Sequence, residues 1–302
     1  MIINAASLTA ANKGFRKLYS GGLASVGRQR IGEYAMRTTS TKKDETYGWL
    51  GALPGMRKLV GEVAIRNMVD HGFPVENEEF EVTVGVKRAD LERDALGIYN
   101  GFFTAMGQSA GRHPDKLLAA AMTGGFTTLC YTGKNFFDLN HEPQKGKTKF
   151  SNKGTKKLSA ANFRTGRESI LSRKDAEGEP INDNPDLVLV VSPKWEATAR
   201  EILLAERNAN GSTNIDKGNA RLDVWNRLAG ATEDNWFLFD LGAIVKPFVH
   251  QVEIETEYKH LDDPNSERVM LKQEYLHQAY GRYTVAALVP ELAYGSTGAD
   301  AA

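Results

Sequence analysis

Residues 96–125 read LGIYNGFFTAMGQSAGRHPDKLLAAAMTGG, and they decide the architecture. Ile98, Tyr99, Phe102, Phe103, Met106 and Ala110 recur at three- and four-residue steps, the spacing of one helical face. Pro114 should kink or restart the helix, after which Leu117, Leu118, Ala121 and Met122 continue the apolar face. Asp90, Glu92 and Asp94 lie just upstream, where they suit the helix dipole, and the spacing predicts a helix over 89–124. Gly124-Gly125 ends it. Gly97, Gly101, Gly107 and Gly111 lower the helix propensity, and such positions let another backbone approach closely.

Upstream, Phe80, Val82, Val84 and Val86 alternate with Glu81, Thr83, Gly85 and Lys87, the period of a half-buried strand. This strand reads as the return arm of a long β-hairpin or extended loop over 44–88. The outgoing arm carries Thr46-Tyr47-Gly48-Trp49-Leu50-Gly51. Pro54, Gly55, Gly61, Gly72 and Pro74 break up the chain between them. An excursion of this length is usually functional, and Trp49 on it is a fair interface anchor. Residues 1–43 are rich in Ala, Ser, Gly, Lys and Arg. Leu8, Phe15 and Leu18 give weak helical spacing that Gly21-Gly22 interrupts before Leu23. We read an arm that packs on something else rather than a core element.

Downstream, a polar region over 141–185 holds a helix near 158–172. Leu187-Val188-Leu189-Val190-Val191 and Trp236-Phe237-Leu238-Phe239 are strands buried on both faces. Between them Ser192 can cap a helix whose first turn holds Pro193 and whose apolar face is Trp195, Ala199, Ile202 and Leu203. Over 247–258, Val252, Ile254, Thr256 and Tyr258 face one way and Glu253, Glu255 and Glu257 the other. Residues 267–287 supply a further strand. Segregated helices and mostly antiparallel strands argue an α+β fold, with no internal repeat.

The chain has 302 residues, 41% hydrophobic and 25% charged, and its 38 cationic side chains balance 38 acidic ones. At whole-chain level that excludes a strongly basic nucleic-acid binder and a disordered acidic tail. The balance conceals segments. Residues 1–43 hold eight Lys and Arg against Glu33 alone, and residues 141–175 hold ten against three acids. The remainder is acidic. Basic segments in an acidic body suit nucleic acid or neighbouring copies of the chain, although solvated loops would share the pattern. No aromatic interleaving suggests base stacking. No apolar run is long enough to span a membrane, and no signal peptide is apparent.

Catalytic motifs are scarce. The single Cys130 excludes an intramolecular disulfide framework and paired-cysteine zinc sites. Gly146-Lys147-Thr148 resembles the end of a phosphate-binding loop, but His141 stands where that motif needs glycine. Cys130 with His141 could form a thiol nucleophile and base, although Leu129 and Tyr131 place the thiol in an apolar stretch where an inert cysteine is expected. No cofactor or metal is expected. Glu253, Glu255 and Glu257 on one strand face need water or cations, either solvent or a neighbour's basic segment.

The order of elements then becomes informative: basic arm, long β-loop, long helix, basic loop, mixed α+β region. Five stretches carry a likeness. They are Thr46-Tyr47-Gly48-Trp49-Leu50-Gly51, Leu96-Gly97-Ile98-Tyr99, Met106-Gly107-Gln108-Ser109-Ala110, the run from Cys130-Tyr131 to His141, and Trp236–Asp240 followed by Val245-Lys246-Pro247-Phe248. The chain resembles the major head proteins of Mu-like phages and prophages, which have the HK97-like capsid fold. The resemblance implies an N-arm (1–43), an E-loop (44–88), a P-domain with spine helix (89–186 and 241–287) and an A-domain (187–240 and 288–302). It implies a self-assembling capsid protein of the icosahedral virion shell, not an enzyme. Its partners would be hexamers and pentamers of the same chain, a separate scaffolding protein, a portal, a decoration protein and nonspecifically bound double-stranded DNA, with no membrane. Interface residues would be Tyr47, Trp49, Leu50, Arg57, Lys58, Glu253, Glu255 and Glu257. The alternatives are an HK97-fold compartment shell around an enzyme cargo, a thiol hydrolase using Cys130 and His141, and a monomeric nucleic-acid binder.

Overall fold

The glycine-bearing helix is present, and a second helix lies along it. The computed structural model describes residues 5–48, 72–93, 96–142, 149–174, 179–261, 263 and 266–300. The N-terminal part holds helix α1 (Ala5–Ala24), the single turn α2 (Ile31–Tyr34), strands β1 (Ala35–Thr39), β2 (Asp44–Tyr47), β3 (Phe73–Glu76) and β4 (Glu78–Lys87), and the short α3 (Arg88–Glu92). The middle holds α4 (Asn100–Gly124), β5 (Lys153–Gly154), α5 (Ala160–Leu171), β6 (Leu187–Val191), α6 (Glu196–Leu203) and β7 (Arg221–Val224). The last part holds β8 (Trp236–Asp240), β9 (Phe248–Leu261), α7 (Glu267–Lys272), β10 (Glu274–Ala287) and β11 (Ala293–Ser296).

Two larger sheets hold nine of the described strands, and β2 pairs with β3 alone. The first has the order β1-β9-β10-β4 and the second β5-β11-β8-β6-β7. In the first, β9 and β10 pair antiparallel over nearly their full length, with a bulge around Tyr280–Tyr283, while β1 joins β9 in parallel. Alternate residues of β10, including Tyr275, His277, Ala279 and Tyr283, are buried under the helical layer. In the second sheet β6 and β8 are buried at every position, as their uninterrupted apolar runs require. Phe136, Phe137, Phe237, Phe239 and Phe248 fill a core with Tyr34, Leu118 and Met122 of α2 and α4.

The expectation that residues 1–43 contribute no core element is corrected here. Helix α1 runs straight through Gly21-Gly22, and Leu8, Phe15 and Tyr19 are buried with Phe103, Met106, Tyr258 and Tyr275. Phe15 and Phe103 stack with ring centroids 4.2 Å apart. The glycines are the contact surface. A Cβ on Gly107 would stand 2.7 Å from Leu23 N, and one on Gly22 would stand 2.9 Å from the Thr104 carbonyl carbon. Gly107 and Gly111 therefore do admit a second backbone, whereas Gly97 and Gly101 face open space.

Other local expectations also change. The 89–124 helix is divided: α3 ends at Glu92, a 3-10 turn covers Leu96–Tyr99, and α4 starts at Asn100 and continues through Pro114. Tyr99 turns back on α3, its hydroxyl donating to Asp90 Oδ2 at 2.6 Å. Gly125 caps α4 in a right-handed conformation, so its need for glycine is steric, with Phe136 and Phe137 packed against it. Ser192 makes no cap; its hydroxyl donates to the Glu233 carbonyl at 2.6 Å. The strand expected from 267 starts at Glu274, after α7, which Ser266 caps by accepting from Val269 N. The 80–86 strand is real, but β4 pairs with β10 and not with the 46–51 segment, whose described part pairs with β3.

Candidate assembly surface

The paired strands β2 and β3 are held to the body by a buried polar network. Tyr47 Oη donates to Gln251 Oε1 at 2.8 Å, and Gln251 Nε2 donates to Val75 O and Asn77 Oδ1, each at 3.0 Å. Asn77 Nδ2 in turn donates to Ser40 Oγ and Lys42 O. Gln251, Asn77 and Ser40 are all buried, so each satisfied amide fixes its neighbour's orientation. Tyr47 thus belongs to the chain's own core, at the root of the hairpin, and burial raises its pKa. Trp49, Leu50, Arg57 and Lys58 lie outside the described residues.

The three glutamates of β9 have cationic partners within the chain. Glu253 accepts from Arg282 at 2.6 Å, and Arg282 also reaches Glu79 at 3.2 Å and Tyr280 Oη at 3.0 Å. Glu255 pairs with Arg37 of β1, and Glu257 with Lys259. The basic N-terminal segment therefore meets this acidic strand in the same subunit. Arg37 and Glu255 are both about two-thirds exposed, 61% and 66%, so the pair is weak and free to exchange.

The N-terminal segment also ties the two sheets together. Asp115 of α4 is buried and accepts the backbone N–H groups of Arg30 and Ile31 at 2.8–3.1 Å. The Arg30 guanidinium forks onto Asp223 of β7 and lies over the Trp225 ring, 5.1 Å from its centroid. Tyr34 Oη also donates to Asp223, at 2.9 Å. Sequence inspection missed these roles, because Asp115 and Asp223 are isolated acids whose partners lie far away in the chain.

Cys130 and His141 do not form a nucleophile–base pair. The buried Cys130 Sγ contacts Thr132 Oγ1 at 3.2 Å, and the same hydroxyl contacts His141 Nδ1 at 2.8 Å. His141 Nε2 faces Asn152 Oδ1 at 3.1 Å. Burial pushes the thiol's pKa up and the imidazole's down, so neither group is prepared for thiolate chemistry. Residues 146–148 of the phosphate-loop resemblance lie outside the described residues. Among the described residues no group of His, Cys, Asp or Glu is arranged to hold a metal.

One cation of the basic 141–175 segment is deeply structural. Arg173 is buried, donates to Pro290 O at 3.1 Å, Ala293 O at 3.0 Å and Ser169 Oγ at 3.0 Å, and also bonds Glu291 O. Burial lowers its pKa to about 9. Arg164 makes a fork onto Asp216, and Lys157 pairs with Asp300 at 3.1 Å. The segment is pinned to the second sheet and the C-terminal stretch.

A helical layer on a long-stranded sheet, a second mixed sheet and a rooted hairpin define a capsid subunit of the HK97-like class. The fold matches the procapsid of bacteriophage JBD30 with a TM-score of 0.60 and 25% identity, covering 97% of this chain and 76% of that one. The family model "Mu-like prophage major head subunit gpT" matches residues 8–157, 149–228 and 220–300. The chain belongs to that family, which consists of structural capsid proteins and not enzymes. It is 43% identical over 141 residues to the major capsid protein of Escherichia phage Mu, covering 47% of this chain and 46% of the relative. It is 36% identical over 128 residues to the Mu-like prophage FluMu major head subunit of Haemophilus influenzae, covering 42% and 41%. The matched stretch thus spans less than half of each relative's length.

Proposed function

We propose that copies of this chain close into the icosahedral shell of a phage head, as rings of six and five subunits around double-stranded DNA. The observation that carries this is the family match, which runs from residue 8 to residue 300. Identical heterologous contacts close into rings, and many weak contacts per subunit add. In this reading 1–43 is the N-arm, 44–88 the E-loop, 89–186 with 241–287 the P-domain, and 187–240 with 288–302 the A-domain. The buried Tyr47–Gln251–Asn77 network holds the root of the E-loop, which carries Trp49, Leu50, Arg57 and Lys58 onto an adjacent subunit. Glu253, Glu255 and Glu257 contribute by exchanging some in-chain pairing for a neighbour's cations. A separate scaffolding protein directs closure in the host cytoplasm, a portal occupies one vertex, and a decoration protein binds the finished virion.

The test is expression of the chain, alone and with its scaffolding protein, followed by density-gradient sedimentation and electron microscopy of the heaviest fraction. Hollow shells, tubes or five- and six-fold rings are expected. Discrete small oligomers without rings in both preparations would contradict the proposal.

A further inference from the structure

We propose that Glu291 is a proton-operated latch on the crossover between the two larger sheets: neutral, it keeps the turn Pro290–Leu292 closed, and its ionisation favours opening of that turn. The inference concerns the subunit itself and holds whatever the subunits build.

Three observations support it. The first is the place. Strand β10 lies in the first sheet and β11 in the second, and the 3-10 turn Pro290–Leu292 joins them. Buried polar groups hold the turn. Arg173 Nη1 donates to the carbonyls of Pro290, Glu291 and Ala293, and Asn152 Nδ2 donates to Pro290 O at 3.2 Å. Glu291 stands in the middle of the turn and is 9% exposed.

The second is the unequal satisfaction of its two oxygens. Oε1 accepts from Tyr131 Oη, whereas Oε2 is buried and has no partner among the described residues. Arg173 does not supply one. Its Nη1 is engaged by the three carbonyls, its Nη2 by Ser169 Oγ at 3.0 Å and Ser151 O at 3.4 Å, and its buried Nε makes no hydrogen bond among the described residues. Asp240, the other carboxyl on the same small cavity, is satisfied: it accepts from Asn182 Nδ2, Asp186 N and Gly242 N at 2.7–3.0 Å. The cavity is about 10 Å³, room for one water at most. A carboxylate held there would lack most of its hydration, a cost that the neutral acid largely avoids.

The third is the electrostatic surroundings. The titratable and charged groups facing Glu291 are Tyr131 and Cys130 on the loop after α4, Arg173 after α5, and Asp240 at the end of β8. His141 and Tyr294 act in turn on Arg173. Burial raises the Glu291 carboxyl above its ordinary 4.5, against the Tyr131 hydrogen bond, the residue's own backbone N–H and the Arg173 charge. The folded chain therefore binds this proton more tightly than the unfolded one. Its contribution to stability is complete below pH 4.5 and is lost as pH rises through the raised value. His250 acts with the opposite sign.

The experiment uses the full chain as unassembled subunits. Urea denaturation is followed from pH 4.5 to neutral pH and above for the wild type and for Glu291→Gln, which keeps the shape without the titration. Comparing the two cancels His250 and every other shared group. The wild type's unfolding constant is expected to rise relative to the variant's by up to about tenfold per pH unit. Hydrogen exchange of the wild type, corrected for the intrinsic effect of pH, gives a second readout that needs no variant. An opening that exposes Glu291 releases its proton, so residues 288–296 are expected to lose protection with rising pH while residues 187–191 keep theirs. Tyr131→Phe removes the side-chain donor to Oε1 and should carry the window to higher pH. A ratio of unfolding constants independent of pH would overturn the proposal, since Glu291 would then be ionised throughout. So would protection of 288–296 that does not change with pH, or that changes no more than that of 187–191. If Glu291→Gln does not fold, the wild-type exchange decides alone. Imaging of shells bears on the head-shell reading and leaves this result standing.

Discussion

Replacing Gly107 by Ala should destabilise the subunit, although alanine is the better helix former. A Cβ at that position would stand 2.7 Å from Leu23 N and closer still to the Tyr19 carbonyl oxygen. Van der Waals contact lies near 3.5 Å, so α1 must retreat by close to 1 Å, a gap that forfeits a quarter to a half of the dispersion attraction. Leu8, Phe15 and Tyr19 are the main buried side chains of the helix. At about 2 kcal/mol each, the retreat removes about 1.5–3 kcal/mol. The gain in helix propensity returns about 1 kcal/mol, leaving a net loss of about 0.5–2 kcal/mol. Gly101 is in the same helix but faces open space. Gly101→Ala should therefore be neutral or stabilising by a few tenths of a kcal/mol. Chemical denaturation followed by circular dichroism compares the two variants directly. A Gly107→Ala subunit as stable as the wild type would refute the claim that glycine forms this helix contact.

Four further outcomes are expected. Asp115→Ala leaves the Arg30 and Ile31 N–H groups without their acceptor and should cost about 2–3 kcal/mol in denaturant titration; an unchanged midpoint would contradict the clasp. Deleting residues 2–30 should lower the subunit's melting temperature as well as its assembly, since Phe15 and Tyr19 leave the core; an unchanged melting temperature would return α1 to the status of a loose arm. His250 is half-buried, and burial followed by the Arg37 charge lowers its pKa from 6.5 to about 4. The unfolded chain then binds the extra proton between those values, so this contribution is complete above pH 6.5 and is lost as pH falls toward 4, by at most about 3 kcal/mol; His250→Gln should flatten that slope, and an equally steep profile would exclude His250 as its source. Cys130 should resist thiol reagents in the native subunit and Cys130→Ser should assemble normally; rapid native modification would contradict its burial.

The parts of the fold written in periodic patterns were legible in the sequence. The face of β9, the two fully buried strands and most of the face of α4 follow from spacing alone, but Ile98 and Phe102, counted in that face by their spacing, are exposed. Helix α1 escaped because its contact surface uses Ala11 and Gly22 beside Leu8, Phe15 and Tyr19, and a glycine pair reads as a breaker when it is in fact an interface. The buried Arg173 cannot be told from its solvated neighbours in a run of ten cations, since only its distant carbonyl partners distinguish it. The same holds for Gln251, whose partners Tyr47, Val75 and Asn77 lie more than 170 residues away. Polar networks have no period, so topology must be known before they can be seen.

The central claim is tested most directly by a side-chain-resolution electron-microscopy reconstruction of the assembled particle. The account predicts a closed icosahedral shell with the β2–β3 hairpin directed onto an adjacent subunit. Open or irregular assemblies in place of a closed shell, or a hairpin confined to its own subunit, would contradict it.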